Sequence, residues 1–138
     1  MNKNNLTNDL LLAMDTLYHN QSIQFDIFYQ GEIKVLTFIA KYKDIHKNDF
    51  LLPSDISKSL NMSSPRVSSI LNTLEKKEYI KRDFSTIDRR KVYISITNSG
   101  YQYVEKISNK TIEVLSSLID KLGENDTKEL IRILNRLV

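Results

Sequence analysis

Short polar side chains and cations are concentrated in two segments of the chain, residues 63–76 and residues 88–91. Hydroxyl and amide groups exchange hydrogen bonds with polar edges, whereas Lys and Arg neutralise phosphates. The combination therefore predicts that both segments bind a polyanion. The candidate contact residues are Ser63, Ser64, Pro65, Arg66, Ser68, Ser69, Asn72, Thr73 and Lys76 in the first segment, and Asp88, Arg89, Arg90 and Lys91 in the second.

The first segment has the apolar spacing of a helix with one narrow buried stripe, formed by Val67, Ile70, Leu71 and Leu74. The positions opposite the stripe are Pro65, Ser69, Asn72 and Lys76, with Ser68 and Thr73 at the edges and Arg66 on the flank. Such a face suits the major groove of DNA, where Asn pairs best with adenine. Ser63 and Ser64 add hydroxyls at the helix N-terminus, which favours a phosphate. The alternative is an ordinary polar face exposed to solvent.

The second segment places three consecutive cations at or beside the tip of a hairpin. Cations on such a tip suit the minor groove, where the negative potential is strongest in A·T-rich sequence. Asp88 would repel phosphate, so we expect it to orient an arginine guanidinium as a fixed fork. The alternative is a solvated loop with an incidental ion pair, which contributes under ~1 kcal/mol.

Composition and length exclude several classes of protein. The chain has 138 residues, 41% apolar and 27% charged, with no Cys, which suits one domain without disulfides or thiolate metal sites. Its longest apolar run has five residues, residues 10–14, whereas a spanning helix needs ~20. The net charge is +3, but residues 51–91 carry nine Lys/Arg and five Asp/Glu, which is +4. We therefore expect a soluble, cytoplasmic protein with no membrane-spanning segment. The local basic excess indicates a polyanion partner, either nucleic acid or a membrane surface.

The periodicity predicts the elements that position these segments. Two helices precede a tight helix pair, a two-stranded hairpin follows at once, and a long and a short helix end the chain. This order predicts a mainly α fold with a small β-hairpin wing, the winged helix–turn–helix. Helices are predicted over 5–20, 28–42 and 53–60, with a loop over 43–50, and Ser63 caps a fourth helix. Strands are predicted over 79–84 and 92–96. A helix then runs from Thr97 to Leu122 and is ended by Gly123, and Asp126 with Glu129 starts a last helix.

The helices at the two chain ends carry apolar stripes with too little of this chain to pack on, which predicts a second copy. We therefore divide the single domain 1–138 into dimerisation helices, residues 1–27 and 98–138, and a DNA-binding lobe, residues 28–97.

The segment from Leu51 to Gly100, 50 of 138 residues, closely resembles the DNA-binding domain of the MarR family of bacterial transcription regulators. The motifs that carry the resemblance are Ser63-x-Pro65-x-Val67-Ser68, Leu74-Glu75-Lys76-Lys77, and Asp88-Arg89-Arg90 followed by Thr97-x-x-Gly100. The resemblance implies a homodimer that binds a pseudo-palindromic operator and usually represses nearby genes. It also implies that the fourth helix enters the major groove and that Arg90, held by Asp88, reaches the minor groove. One position departs from the family pattern, because Glu78 stands where a left-handed Gly is frequent.

The remaining candidate sites are an effector pocket and a metal site. The resemblance implies release by a small aromatic ligand, for which Tyr18, Phe25, Phe28 and Tyr42 are candidate pocket residues, although aromatics at such positions are commonly plain core. His46 with Asp44 and Asp49 is a faint candidate for zinc, and the other histidine, His19, is distant in sequence. We therefore predict no metal, no cofactor and no enzymatic site. The competing function is a winged-helix module that binds protein partners through the same surface.

Overall fold

The helices and strands follow the predicted order. The structure, a computed structural model, describes residues 2–20, 30–46, 50–88 and 90–138. The helices are α1 (Lys3–His19), α2 (Gly31–Ile45), α3 (Pro53–Leu60), α4 (Ser64–Lys76) and α5 (Asn98–Asn135), and the strands are β1 (Ile80–Phe84) and β2 (Val92–Ile96). α3 and α4 form the helix–turn–helix, and the antiparallel hairpin of β1 and β2, residues 80–96, is the wing. The predicted winged helix–turn–helix is confirmed.

The turn between α3 and α4 is defined by local hydrogen bonds. α3 starts at Pro53, where the Asp55 carboxylate accepts a hydrogen bond from the Leu52 backbone N–H at 2.9 Å. It ends at Asn61, whose φ of 51° is left-handed, a conformation that Asn adopts more readily than most residues. The Ser57 hydroxyl then donates to the Met62 carbonyl at 2.6 Å. These contacts fix the chain direction immediately before the Ser63 cap of α4.

The wing is a regular two-stranded ladder that is joined to the turn before α3. Ile80 pairs with Ile96 and Phe84 with Val92 at its two ends. The Ile94 backbone N–H also donates to the Leu51 carbonyl at 2.9 Å, which adds an isolated bridge to the hairpin. β2 is therefore hydrogen-bonded on both of its edges, to β1 on one and to Leu51 on the other.

One apolar core positions the helix–turn–helix and the wing together. Every element of residues 31–96 contributes to it, and burying each large side chain stabilises the fold by about 1.5–3 kcal/mol. The core residues are Val35, Leu36, Ile39, Ala40, Leu51, Ile56, Met62, Val67, Leu71, Leu74, Ile80, Ile94 and Ile96. Because α2, α4 and both strands share this core, the rotation of α4 is set by its packing.

The chain divides into two compact units. The second unit, residues 27–109, contains the helix–turn–helix, the wing and the start of α5. The first unit comprises residues 1–26 and 110–138, with α1 and the rest of α5. No residue of α1 is buried, and in α5 only Gly100 is buried.

Predicted boundaries of α1, α2 and β1 differ from the structure, and α1 spans Lys3–His19 instead of 5–20. α2 continues through residues 43–45 to Ile45, because the His46 backbone N–H still donates to the Tyr42 carbonyl at 2.8 Å and the two rings stack at 4.5 Å. It begins at Gly31, whereas Phe28 lies outside the described residues. β1 begins at Ile80, since the Tyr79 N–H closes the turn after α4.

The predicted break at Gly123 is confirmed, but the predicted start of the last helix is wrong. Gly123 has φ 78° and ψ 169°, and helical backbone resumes directly after it. Asp126 therefore lies inside the helix, where it cannot be an N-cap. The carboxylate of Glu129, its expected capping partner, instead accepts two hydrogen bonds from Arg132, at 2.6 and 2.8 Å.

Candidate nucleic-acid interface

α4 begins at a serine cap and is anchored by an apolar stripe. The Ser63 Oγ accepts a hydrogen bond from the Arg66 backbone N–H at 3.3 Å, as an N-cap does. The buried stripe consists of Val67, Leu71 and Leu74, each 1% exposed. Since this stripe fixes the rotation of α4 about its axis, the opposite side faces solvent.

The residues opposite the stripe, called the outward face of α4, are short polar side chains flanked by cations. Thr73 differs from the others because it is half-buried and its hydroxyl donates to the Ser69 carbonyl at 3.2 Å. The exposed members are Ser64, Pro65, Arg66, Ser68, Ser69, Asn72 and Lys76, and Ser63 is exposed beside them. The structure thus brings together all nine candidate residues of the first segment, eight of them accessible.

Cations at both ends of this face are free to bind an external anion. Arg66 and Lys76 are exposed and form no ion pair with any residue that the structure describes. The Arg66 guanidinium lies against the first turn of α2, where a Cβ on Gly31 would be 3.0 Å from its Nη2. Lys77, in contrast, is paired with Glu32 at 2.8 Å, and this hydrogen bond raises the Lys77 pKa.

The sequence prediction missed Arg82, which contacts the outward face from β1. Its Nη2 donates to the Asn72 Oδ1 at 2.8 Å, and its Nε lies 3.7 Å from the Glu75 Oε2. The amide that we expected to pair with adenine is therefore already engaged within the protein. Side chains alternate between the two faces of a strand, so Arg82, two residues after the buried Ile80, lies on the same face of β1. This alternation could have identified Arg82 from the sequence.

The tip of the wing is organised by two residues before Arg90. The Ser85 hydroxyl accepts hydrogen bonds from the backbone N–H groups of Ile87 and Asp88, at 3.2 and 3.1 Å. The Asp88 carboxylate accepts from the Arg90 backbone N–H at 3.0 Å and from its Nε at 3.3 Å. Ser85, which the sequence analysis did not select, positions Asp88 through a turn typical of Ser.

The cations of the tip are directed to solvent. The Arg90 side chain is 92% exposed, although Asp88 restrains its Nε. Lys91 is exposed and forms no ion pair within the described part of the chain, whereas Arg89 lies outside the described residues. The geometry places a restrained guanidinium and a free ammonium on a narrow projection.

Contacts after the wing explain the Thr-x-x-Gly motif. The Thr97 hydroxyl donates to the Glu78 carbonyl at 2.7 Å and accepts from the Gly100 N–H at 3.0 Å. A Cβ on Gly100 would lie 2.2 Å from the Tyr79 carbonyl oxygen, so only glycine fits there. The motif therefore joins the C-terminal turn of α4 to the start of α5.

The predicted effector pocket stays a prediction. Tyr18 belongs to the first unit and Tyr42 to the second, while Phe25 and Phe28 lie outside the described residues. Tyr18 is 72% exposed, and Tyr42 stacks on His46.

The described residues contain no group of three or more His, Asp or Glu side chains that could hold a metal ion. Asp49, the third member of the candidate zinc set, lies outside them. Across residues 2–20, 30–46, 50–88 and 90–138, no helix is both long and apolar enough to cross a membrane.

The helix–turn–helix, the wing and the cationic outward face of α4 together define a protein of the winged helix–turn–helix class. The family model described as transcriptional regulator SarA/Rot matches residues 16–107. The chain belongs to this SarA/Rot family of transcriptional regulators, and the MarR-type resemblance of the sequence is confirmed.

Known regulators are similar in sequence and in structure. The HTH-type transcriptional regulator MgrA of Staphylococcus aureus is 30% identical over 57% of this chain and 52% of its own length. The S. aureus MepR–DNA complex is 27% identical, with a TM-score of 0.62 over 94% of each chain. YusO of Bacillus subtilis has a TM-score of 0.73 over 99% of this chain and 97% of its own, and at 20% identity it supports the fold alone. The chain spans about half the length of the curated relatives that it matches.

Proposed function

We propose that this chain is a sequence-specific double-stranded DNA-binding regulator that acts as a repressor in the cytoplasm, not an enzyme. The observation that carries the proposal is the outward face of α4, where short hydroxyl and amide groups lie between the exposed cations Arg66 and Lys76. These groups match the hydrogen-bonding pattern of base edges, and the cations match the flanking phosphates. The MepR structure solved with DNA supports the same use of this fold.

The wing supplies the second contact. Arg90 is exposed and restrained by Asp88, so its guanidinium is oriented before DNA binds. A cation on a narrow hairpin suits the minor groove beside the groove that receives α4. Arg89 and Lys91 belong to the same proposed contact, Arg89 from its place in the sequence alone.

Two copies of the chain form the proposed functional unit. Large apolar side chains are exposed along α1 and the end of α5, which a second copy would cover. They include Leu10, Leu11, Leu12, Met14, Ile131 and Leu134, each at least 53% exposed. A two-fold dimer would place the two α4 helices in successive major grooves, about one helical turn apart, so the operator is a near-palindrome. Residues 1–27 and 98–138 are the proposed dimerisation helices, with residues 28–97 as the DNA-binding lobe.

A selection experiment tests the proposal. The full chain is incubated with a random pool of duplexes, and the bound fraction is sequenced. We expect an enriched near-palindrome, whose affinity is then measured by fluorescence anisotropy in 50 to 200 mM salt. If Arg66, Lys76 and Lys91 of both copies neutralise about six phosphates, the affinity should fall about a thousandfold over this range.

A matched pair of variants distinguishes the loss of an interface contact from the loss of one positive charge elsewhere on the protein. Arg66→Met and Lys41→Met each remove one exposed positive charge, but only the first lies on the outward face of α4, and neither lies in the proposed dimerisation helices. We expect Arg66→Met to weaken binding and to flatten the salt slope by about one, and Lys41→Met to do neither. A pool with no enriched motif, together with an affinity that does not change with salt, would favour the protein-interaction module.

A further inference from the structure

Arg82 and Asn72 form the only side-chain hydrogen bond that the structure describes between the wing and the outward face of α4. The bond is 2.8 Å long and joins Arg82 Nη2 to Asn72 Oδ1. Asn72 is exposed, and its amide nitrogen has no partner among the described residues. The side chain at the centre of the face is therefore bound at one end and free at the other.

The chemistry of the two groups fixes which end is free. A guanidinium has only donors, whereas a carboxamide has an acceptor oxygen and a donor nitrogen. The amide must turn its oxygen toward Arg82, and it presents its two N–H donors to solvent. A freely rotating Asn could present either its amide oxygen or its amide nitrogen to DNA. The hydrogen bond to Arg82 favours one of these orientations, which the sequence alone does not specify.

The surroundings of Arg82 restrict the positions that its guanidinium can take. Its side chain is 25% exposed, and it lines a cleft with Leu71 and Val92. Its Nε is buried without a hydrogen-bond partner in the described part of the chain, and the Glu75 carboxylate is 3.7 Å away. The bond to Asn72 is itself exposed, so it holds the amide by its charge-assisted strength and not by burial.

Adenine, guanine and cytosine present different hydrogen-bonding groups in the major groove to an amide whose N–H donors point outward. Adenine offers one acceptor and one donor in the major groove, so its two-bond pairing with Asn needs the amide oxygen as well as the nitrogen. Guanine offers two adjacent acceptors, N7 and O6, and cytosine presents a donor. An Asn whose N–H groups point outward therefore matches guanine, whereas at adenine these groups meet the N6 donor unfavourably.

We propose that Arg82 is a specificity-determining positioning residue: by holding the Asn72 oxygen it orients the amide so that its N–H donors point outward, which changes the preferred base of Asn72 from adenine to guanine. This inference rests on the proposed function, because it concerns how the same face distinguishes bases. Arg82 itself need not contact DNA.

The test measures base preference at one operator position. Asn72→Ala identifies that position, since its preference relaxes there when the side chain is removed. Wild-type protein should favour guanine over adenine by about tenfold, the effect of one well-formed pair of hydrogen bonds. Arg82→Met should reduce this ratio to about one or invert it, because the amide can then turn. Arg82→Lys retains a donor and should keep most of the preference.

Lys81→Met is the matched control, because it removes one charge from the adjacent, exposed position of β1. It should leave the guanine-to-adenine ratio unchanged. A wild-type preference for adenine, or an Arg82→Met ratio within twofold of wild type, overturns the proposal while the proposed function stands. If the wild-type chain selects no motif, the proposed function fails and the specificity role fails with it.

A second measurement tests the contact without DNA. Asn72→Asp places a carboxylate against the Arg82 guanidinium, whereas Asn72→Ala removes the contact but favours the helix intrinsically. We therefore compare the difference in melting temperature between Asn72→Asp and Asn72→Ala in the wild-type and Arg82→Met backgrounds, and we expect Asp to be more favourable relative to Ala when Arg82 is present. A difference that is the same in both backgrounds shows that Arg82 does not face residue 72, and overturns the proposal whatever the DNA result.

Discussion

Glu78 occupies a backbone conformation that suits glycine better. Its φ is 63°, and two hydrogen bonds close the turn around it, from the Glu78 N–H to the Glu75 carbonyl at 2.9 Å and from the Tyr79 N–H to the Leu74 carbonyl at 3.0 Å. This is the Schellman arrangement that ends helices, with the left-handed residue at the position where Gly is usual. Replacing Glu78 with Gly should therefore stabilise the fold.

The expected gain is the difference between two opposing effects. A non-glycine residue in the left-handed region is destabilised by about 1–2 kcal/mol, which Glu78→Gly removes. Glycine also gives the unfolded chain more freedom, which destabilises the variant by about 0.4–1 kcal/mol. The net gain is about 0.5–1 kcal/mol. For 138 residues at about 2.1 cal/mol/K each, this raises the melting temperature by about 2–3 °C.

Glu78→Ala is the control, because it removes the same charge but retains the Cβ that causes the strain. Both variants are unfolded by heat and by urea at one protein concentration, since dimer formation makes melting concentration-dependent. We expect Gly to exceed Ala in stability at this position by about 1 kcal/mol. A Gly variant that is no more stable than the Ala variant would refute the assignment of strain to Glu78.

Three further substitutions have definite expected outcomes. Gly100→Ala should destabilise the fold by about 1–3 kcal/mol or more, measured by urea unfolding, because its Cβ would lie 2.2 Å from the Tyr79 carbonyl oxygen. Arg90→Ala should weaken operator binding about tenfold to a hundredfold in anisotropy, with little change in melting because exposed ion pairs contribute little. Burial, together with Asp44, raises the Tyr101 pKa, so its contribution to stability is present below about pH 10 and is lost above it. Tyr101→Phe cannot ionise, and its unfolding free energy should fall less between pH 9 and 11.

Each of these predictions has its own contradicting result. Ser99→Ala, an exposed neighbour in the same helical turn, should be nearly neutral, and equal losses in the two alanine variants would rule out the close approach at residue 100. Unchanged operator binding by Arg90→Ala would remove the wing tip from the interface. Parallel pH profiles of wild type and Tyr101→Phe would show that the Tyr101 hydroxyl does not contribute to the alkaline loss.

Periodicity predicted the helix–turn–helix and the wing because their signals are local. Pro53 and Ser63 mark helix starts whatever surrounds them, and alternation over residues 92–96 specifies a strand with one buried face. The end of α2 could not be predicted in the same way. Residues 43 and 44 are charged and the segment that follows has no apolar period, but the helix continues to Ile45, with the His46 N–H bonded to the Tyr42 carbonyl and the two rings stacked.

The candidate interface was predicted in its composition but not in its internal contacts. The buried stripe of α4 determines which residues face outward, and the helical repeat alone is enough to identify them. The bond from Arg82 to Asn72 joins residues ten positions apart on different elements, and nothing in their spacing indicates it. The bond from the Thr73 hydroxyl to the Ser69 carbonyl differs, because it joins residues four apart in one helix and is indicated by the helical repeat.

The sequence by itself determined the fold class, the helix that carries the outward face and the cations of the wing, because helical and strand periodicity act within a few residues. Only the tertiary structure decided what those side chains offer to a partner. It placed Glu78 in a left-handed turn and directed the Asn72 oxygen to Arg82. Such contacts depend on how separate elements pack on the shared core, and this packing is set by the whole unit of residues 27–109.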